Sequence, residues 1–311
     1  MAILVVGSVA FDAIETPSGR RDRCLGGAAT YFSLAASNFT SVRVIGVVGE
    51  DFGPEEEAVL TRRKIDTRGI EHVPGKSFFW SGSYMKNLNE AQTLNTELNV
   101  FQSFSPKIPV EYQDSEYLFL ANIDPVLQED VRGKMAKVKM VCGDTMNYWI
   151  KDHAENLARV LKGLDVLLIN DTEAKMLAKD GNLLSAAHKV LDMGPKALVV
   201  KHGEYGATAF FGNKSFSGND GPVTVPFRAP ALPLAEVVDP TGAGDSFAGG
   251  FFGYIASQPT LTPGVFRRAM FYGGVMGSFA VERFGTERLQ NLQPNEIEER
   301  FALFRQLSNL D

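Results

Sequence analysis

The stretch VVDPTGAGDSFAGG (237–250) places glycines, two aspartates and a proline in one turn between apolar segments. Gly242 and Gly244 allow backbone conformations closed to other residues and leave no side chain to block an approaching ligand. The amides of Gly242, Ala243, Gly244 and Asp245 would then converge at the start of a helix beginning near Ser246, where the macrodipole favours negative charge. Such a cradle suits the charge on a transferring phosphoryl group. Asp245, beside it, is placed to act as the base for a hydroxyl nucleophile, or simply to cap the helix. Spacing alone leaves both roles open.

Two other phosphate-binding patterns fail on their spacing. GIEHVPGKS (69–77) has five residues between its glycines where a P-loop needs four, and no apolar helix follows it. Read as a dinucleotide fingerprint, the turn at 242–247 offers Phe247 where the third glycine belongs. Asp245 would also repel a pyrophosphate there.

The run VDPTGAGDSFAGG (238–250) resembles the C-terminal signature of the ribokinase-like (PfkB) carbohydrate kinases, in which the motif supplies an anion hole and the catalytic aspartate. Further segments resemble that family in the expected order. GSVAFD (7–12) is similar to the first-strand motif, so Asp12 is expected to hold substrate hydroxyls. Gly26 and Gly27 resemble the paired glycines that line the sugar site and serve as a lid hinge. NDTE (170–173) is similar to the N-x-x-E motif, which implies Asn170 and Glu173 near magnesium and phosphate, with Glu173 acting mostly through water. KHGEYG (201–206) resembles the nucleotide-side segment, implying roles for Lys201, Gly203 and Gly206 in ATP binding, together with Thr241, Gly242 and Gly244. Plain structural readings stand beside these: Asp12 ending its strand in a turn, Gly26-Gly27 as an ordinary loop, Asn170 and Glu173 as a capping box, Lys201 as a solvated charge at a strand end.

The resemblance implies an ATP- and Mg2+-dependent kinase that phosphorylates an alcohol group of a sugar or sugar-like molecule. Departures lie at the acceptor end. Tyr31 stands where relatives carry a sugar-binding asparagine, and CGDTMN (142–147) lacks the arginine of D-x-N-x-R, which favours a neutral acceptor. Asn122 and Asn147 are expected to join Asp12, Gly26, Gly27 and Tyr31 around it. A nucleoside is the alternative acceptor, with Tyr31 and nearby aromatics stacking on its base. A catalytically silent sugar-binding regulator is the other, though a pure binder need not keep a base beside an anion hole. VERFG (281–285), with the backbone of Asp239 and Thr241, resembles a monovalent-cation site, which raises K+ as a further cofactor.

The elements that must position these residues alternate. Apolar runs at 3–6, 42–48, 117–120, 139–142, 166–169 and 197–200 predict buried strands, and helical patterns fall at 28–38, 54–64, 126–136, 154–161 and 183–191. The reading is a three-layer α/β/α sandwich, ribokinase-like, around a mostly parallel sheet. Segments 207–211 and 223–227 predict antiparallel edge strands, and 246–257, 265–281 and 295–307 predict helices. Segments 13–25 and 76–104 break the rhythm and predict a small antiparallel β lid on a single domain spanning 1–311. Phe78, Phe79 and Trp80 would close it over the acceptor and exclude water, or would join two copies in a homodimer.

With 311 residues the chain can bury about 75% of its unfolded surface. A net charge of −6 without a Lys/Arg block argues against nucleic acid or an anionic membrane as partner. Cys24 and Cys142 lie far apart, and the four histidines show no paired ligand pattern. The short apolar start lacks a basic leader and no stretch is long enough to span a membrane, so a soluble cytoplasmic protein is expected.

Overall fold

The computed structural model describes residues 1–135, 137–212, 217–218, 221–222 and 225–308. Its first strand shows how the sheet is built. In β1 (Ala2–Val6) the side chains of Ile3 and Val5 enter one hydrophobic core, while Leu4 and Val6 enter another on the opposite face. A strand buried on both faces must be apolar throughout, which is why these runs do not alternate with polar residues.

The chain continues through β2 (Ala10–Thr16), β3 (Gly19–Gly26), α1 (Ala28–Ala36), β4 (Ser41–Val48), α2 (Pro54–Thr61), β5 (Asp66–His72), β6 (Phe78–Ser83) and β7 (Gln92–Glu97). Next come β8 (Tyr117–Leu120), α3 (Pro125–Lys134), β9 (Met140–Gly143), α4 (Asn147–Asp152), α5 (Ala154–Leu161), β10 (Val166–Asn170), α6 (Asp171–Ala178), α7 (Leu183–Asp192), β11 (Ala197–Lys201) and β12 (Ala207–Phe211). After the two-residue strands β13 (Ser217–Gly218) and β14 (Gly221–Pro222) follow β15 (Phe227–Ala229), α8 (Ala243–Ser257), α9 (Pro263–Ala280), α10 (Glu287–Gln290) and α11 (Pro294–Ser308). The strand expected at 223–227 falls partly outside the described residues; the described edge strand is β15.

The large sheet runs β15-β12-β11-β10-β9-β8-β1-β4-β5, parallel except at β11/β12 and β12/β15. From β1 the chain first builds outward through β4 and β5, then returns to the other side of β1 with β8. Ligands in open α/β sheets gather at such a switch point, beyond the carboxyl ends of the strands. There Gly7 follows β1 and Ala121 follows β8, so closely apposed that a Cβ on Gly7 would stand 2.7 Å from that of Ala121.

The segments at 13–25 and 76–104 form a second sheet of order β3-β2-β6-β7. It is two antiparallel hairpins joined by one parallel pair, β2 with β6. The register of β2 against β3 shifts between Asp12 and Ile14, a bulge of the kind that re-aims a side chain.

Helices α1, α8 and α9 cover one face of the large sheet, and α3, α5, α6 and α7 the other. The rings of Phe32 and Phe119 stack at 4.0 Å, and α8 lies against α1 so closely that a Cβ on Gly249 would meet the Phe32 carbonyl oxygen at 2.4 Å. Because the obstacle is backbone, it cannot rotate away. Gly249→Val is therefore expected to destabilise the fold by about 1–3 kcal/mol, read as a lowered urea midpoint with an unchanged m-value; an unchanged midpoint would contradict the close contact.

Candidate active site

The turn singled out in the sequence lies against the amino end of α8. Gly242 adopts φ 71°, ψ 4°, a left-handed conformation, and its carbonyl accepts from the Ser246 amide at 2.8 Å. The N-cap position belongs to Gly242, which has no side chain, so Asp245 stands inside the first turn rather than at the cap. A Cβ on Gly242 would sit 2.3 Å from the ring of Tyr31, so the glycine is required twice, by conformation and by space.

Asp239 ties the turn down. Fully buried, its carboxylate accepts from the Thr241 amide at 2.8 Å and the Gly285 amide at 2.8 Å. The amides of Val238 and Asp239 both reach the Val281 carbonyl. The small sheet grips the same turn, with the Thr16 hydroxyl donating to the Val238 carbonyl at 2.7 Å and the Thr241 hydroxyl to the Tyr84 hydroxyl at 3.3 Å.

Asp245, half-buried in the first turn of α8, faces a cluster that draws on four elements. Lys201 at the end of β11 pairs with Asp144 at 3.2 Å, and its ammonium lies 3.1 Å from where a Cβ on Gly244 would stand. Asp144, just past β9, is held by the Thr145 amide at 2.8 Å. Burial pushes the Asp245 carboxyl up to about 7, with the charges of Asp144 and Glu173 adding to the rise and Lys201 opposing it. Glu173 is likewise pushed up to about 7 by burial and by Asp144. For Lys201, burial pulls the ammonium down, but Asp144, Glu173 and Asp245 outweigh it and leave it above its ordinary value. Asp144 was not anticipated as a site residue. Its signal was available in the sequence, a lone acid directly after a predicted strand.

Asn170 and Glu173 do form a capping box. The Asn170 amide donates to the Glu173 carboxylate at 2.8 Å, and the Glu173 amide to the Asn170 side-chain oxygen at 2.8 Å. The box does not compete with a role toward phosphate, because the same Glu173 carboxyl belongs to the cluster around Lys201.

Asp12, in β2, lies close to the start of α1. Its carboxylate lies against Gly26, where a Cβ would be 2.0 Å from Oδ2. Burial raises it to about 8, with Asp239 and Asp245 adding to the rise and the Gly27 amide opposing it. Gly27, at φ 94°, leads into α1, whose first amide donates to the Ser8 hydroxyl at 3.0 Å. The base-stacking role expected of Tyr31 does not fit its placement: the ring is 1% exposed, wedged beneath Gly242. Its hydroxyl has no partner among the described residues, and Asp12 and Asp239 are the nearest charges acting on it.

Asn122 and Asn147 lie beyond the ends of β8 and β9, Asn122 half-buried and Asn147 exposed. On the nucleotide side Gly203 and Gly206 both have positive φ and close a tight turn, the Gly206 amide donating to the Gly203 carbonyl at 3.1 Å. A cavity of about 470 Å3 runs from this turn to the glycine turn, lined among others by Lys201, Gly203, Pro230, Ala243, Gly244 and Phe247. An apolar trough ending at an ammonium and a helix amino end suits a purine nucleotide with its phosphates at the turn.

Asp239→Ala would strip two buried amides of their acceptor. The expected cost is about 2–5 kcal/mol of stability, measured by urea unfolding; a loss within ~0.5 kcal/mol would show those amides to be otherwise satisfied.

The chain is similar to kinases of one kind in sequence and in fold. It is 29% identical over 266 residues to a cytidine kinase of Thermococcus kodakarensis, covering 83% of this chain and 90% of that one. It is 25% identical over 309 residues to an inositol 3-kinase of Arabidopsis thaliana, covering 96% and 78%. A nucleoside kinase of Methanocaldococcus jannaschii superposes with a TM-score of 0.74 at 19% identity, over 97% of this chain and 98% of that one. A ribokinase II from E. coli, in complex with ATP and Mg2+, gives 0.76 at 19%, over 97% and 99%. At these identities the superpositions establish the three-layer fold with its small second sheet. The model of the pfkB family carbohydrate kinases matches residues 2–291, and the chain belongs to that family.

Proposed function

We propose that the site transfers the terminal phosphoryl group of ATP to an alcohol of a small polyol, a sugar or a nucleoside, with Asp245 as the base. The observation that carries this reading is Asp245 itself: a carboxyl raised to about 7, beside the amino end of α8 and the Lys201 ammonium. A base so tuned accepts a proton readily at neutral pH. The relatives named as kinases of cytidine and inositol support the class of acceptor.

ATP occupies the cavity between the Gly203 turn and Gly244, with Thr241 and Lys201 at its phosphate end. Glu173 would hold Mg2+ through water, and a neighbour of the same fold carries ATP and Mg2+ together. The Glu173 carboxyl, raised by burial and by Asp144, fits that role, since an added cation would favour its charged form against both. When bound, the metal neutralises charge on the phosphates. The acceptor lies at the switch point against Asp12, Gly26 and Gly27, with Asn122 and Asn147 at its far side and the Tyr31 hydroxyl as an unused donor. Asp245 takes the proton of the attacking hydroxyl, while the amides of Gly242, Ala243 and Gly244 stabilise the phosphoryl group in flight. Because that transition state is loose, positioning and electrostatics carry most of the rate.

The small sheet acts as the lid of this site, and its outer face joins two copies in a homodimer. The backbone of Asp239 and Thr241, with 281–285, would hold a potassium ion, and adding potassium to a potassium-free assay should raise kcat. No described helix is long and apolar enough to cross a membrane. The two free cysteines accord with a cytoplasmic location.

Asp245→Asn should retain ATP binding by calorimetry and lose transfer by about 10^2–10^4-fold or more; turnover near that of the native chain would remove Asp245 as the base. The pH profile carries a sign. The base works unprotonated, so kcat/KM should fall tenfold per unit as pH drops below about 7 and level off above it. A limb at the ordinary aspartate position would contradict the tuning.

A further inference from the structure

The acceptor end carries a group of side chains that a simple sugar does not require. Beyond β9, two residues past Asp144, stand Met146, Asn147, Tyr148 and Trp149. Met146 is 39% and Tyr148 50% exposed, while Ile150 is buried and anchors α4 beneath them. The rings of Tyr148 and Trp149 meet edge-on at 4.8 Å, and the His153 ring lies 5.0 Å from the indole. The exposed Tyr148 ring and the half-buried Trp149 ring, held against one another, form a stacking surface that costs little conformational entropy to use.

Asn122, at the end of β8, joins this surface. The Trp149 indole N–H donates to the Asn122 side-chain oxygen at 2.9 Å. An indole nitrogen is a donor only, so the atom facing it must be the amide oxygen, and the orientation of Asn122 follows from chemistry. Its NH2 group meets the Met146 sulfur at 3.1 Å. A thioether is a weak acceptor and engages one hydrogen at most, which leaves Asn122 a fixed N–H donor in search of an acceptor. Sugar hydroxyls both donate and accept and need no such fixed polarity. The carbonyl of a pyrimidine or a ring nitrogen of a purine only accepts.

Asn122 and Met146 follow adjacent strands on one side of the switch point, and Asp144 belongs to the cluster around Asp245. Three residues of chain span at most about 10 Å, so the backbone of Asn147 stands within about 10 Å of that of Asp144 and hence near that cluster.

We propose that Tyr148, Trp149 and Asn122 form a base-recognition shelf, and that the acceptor is a nucleoside whose base stacks on the aromatic faces and accepts a hydrogen bond from the Asn122 amide. This rests on the phosphotransfer reading above and adds the acceptor class to it.

The full chain, assayed with Mg·ATP against cytidine, uridine, adenosine, free ribose and myo-inositol, tests the proposal without any mutation. At least one nucleoside should exceed ribose in kcat/KM by about 10–100-fold, the worth of one stacked base. Tyr148→Ala and Trp149→Leu should each raise KM for that nucleoside by about 5–100-fold with kcat changed much less. Ribose or inositol used as well as every nucleoside would overturn the shelf and leave the phosphotransfer reading intact. Failure of all five acceptors, with ATP bound, would overturn both. If Tyr148→Ala altered the molecular mass in solution and left KM unchanged, the surface would be a contact between copies and the proposal would fall.

Discussion

One ammonium organises the phosphate end of this protein. Lys201 stands among Asp144, Glu173 and Asp245, in direct contact with the first and beneath Gly244. Three acids around a single cation cannot all ionise cheaply away from water, so two of them are displaced toward neutral pH. Each acid comes from a different βα junction, after β9, after β10 and at the start of α8. The parallel strands are what allow this: all but β12 run the same way and deliver their carboxyl ends, and the residues that follow, to one rim. Removing Lys201 would leave the cluster as uncompensated buried charge.

The glycine turn is set on this rim by steric exclusion as much as by hydrogen bonds. Tyr31 fills the space beneath Gly242, Phe32 the space beneath Gly249, and Ala36 that beneath Gly253, so α1 forms the floor on which α8 rests. Because α1 begins at Gly27, beside Asp12, the acceptor end and the phosphate end share one helix as their rigid connection. Asp239 adds the third constraint by clamping the turn to Gly285.

Much of this was legible in the residues. The apolar runs at 117–120 and 207–211 and the helix at 154–161 fall where the strands and helix are, because strands buried on both faces and strongly amphipathic helices leave plain patterns. The strands of the small sheet were less so: β3 is largely exposed and β7 wholly so, and neither carries a hydrophobic alternation to read. The parallel pairing of β2 with β6 is a long-range choice with no local signature. At the site, motifs singled out Asp12, Glu173, Lys201 and Asp245, and the structure brings the last three together in one cluster, with Asp12 close enough for its charge to be felt alongside Asp245. Tyr31 was read from the asparagine that relatives carry at its position, and its burial beneath Gly242, which rules out stacking on a base, leaves no trace in the local sequence. Asp144 and Trp149 were missed as partners because each acts through a residue distant in sequence, Lys201 and Asn122.

The small sheet reaches the rim at two places. Tyr84, just past β6, meets Thr241 in the glycine turn, and Asn89, in the same β6–β7 connection, sits against Gly203 and bonds Glu204 at 3.2 Å. A single loop thus touches both the turn that carries the base and the turn that borders the nucleotide cavity. Movement of that loop as one body breaks both contacts together. Displacing that loop would therefore uncover the glycine turn and the trough beside Gly203 together rather than one at a time.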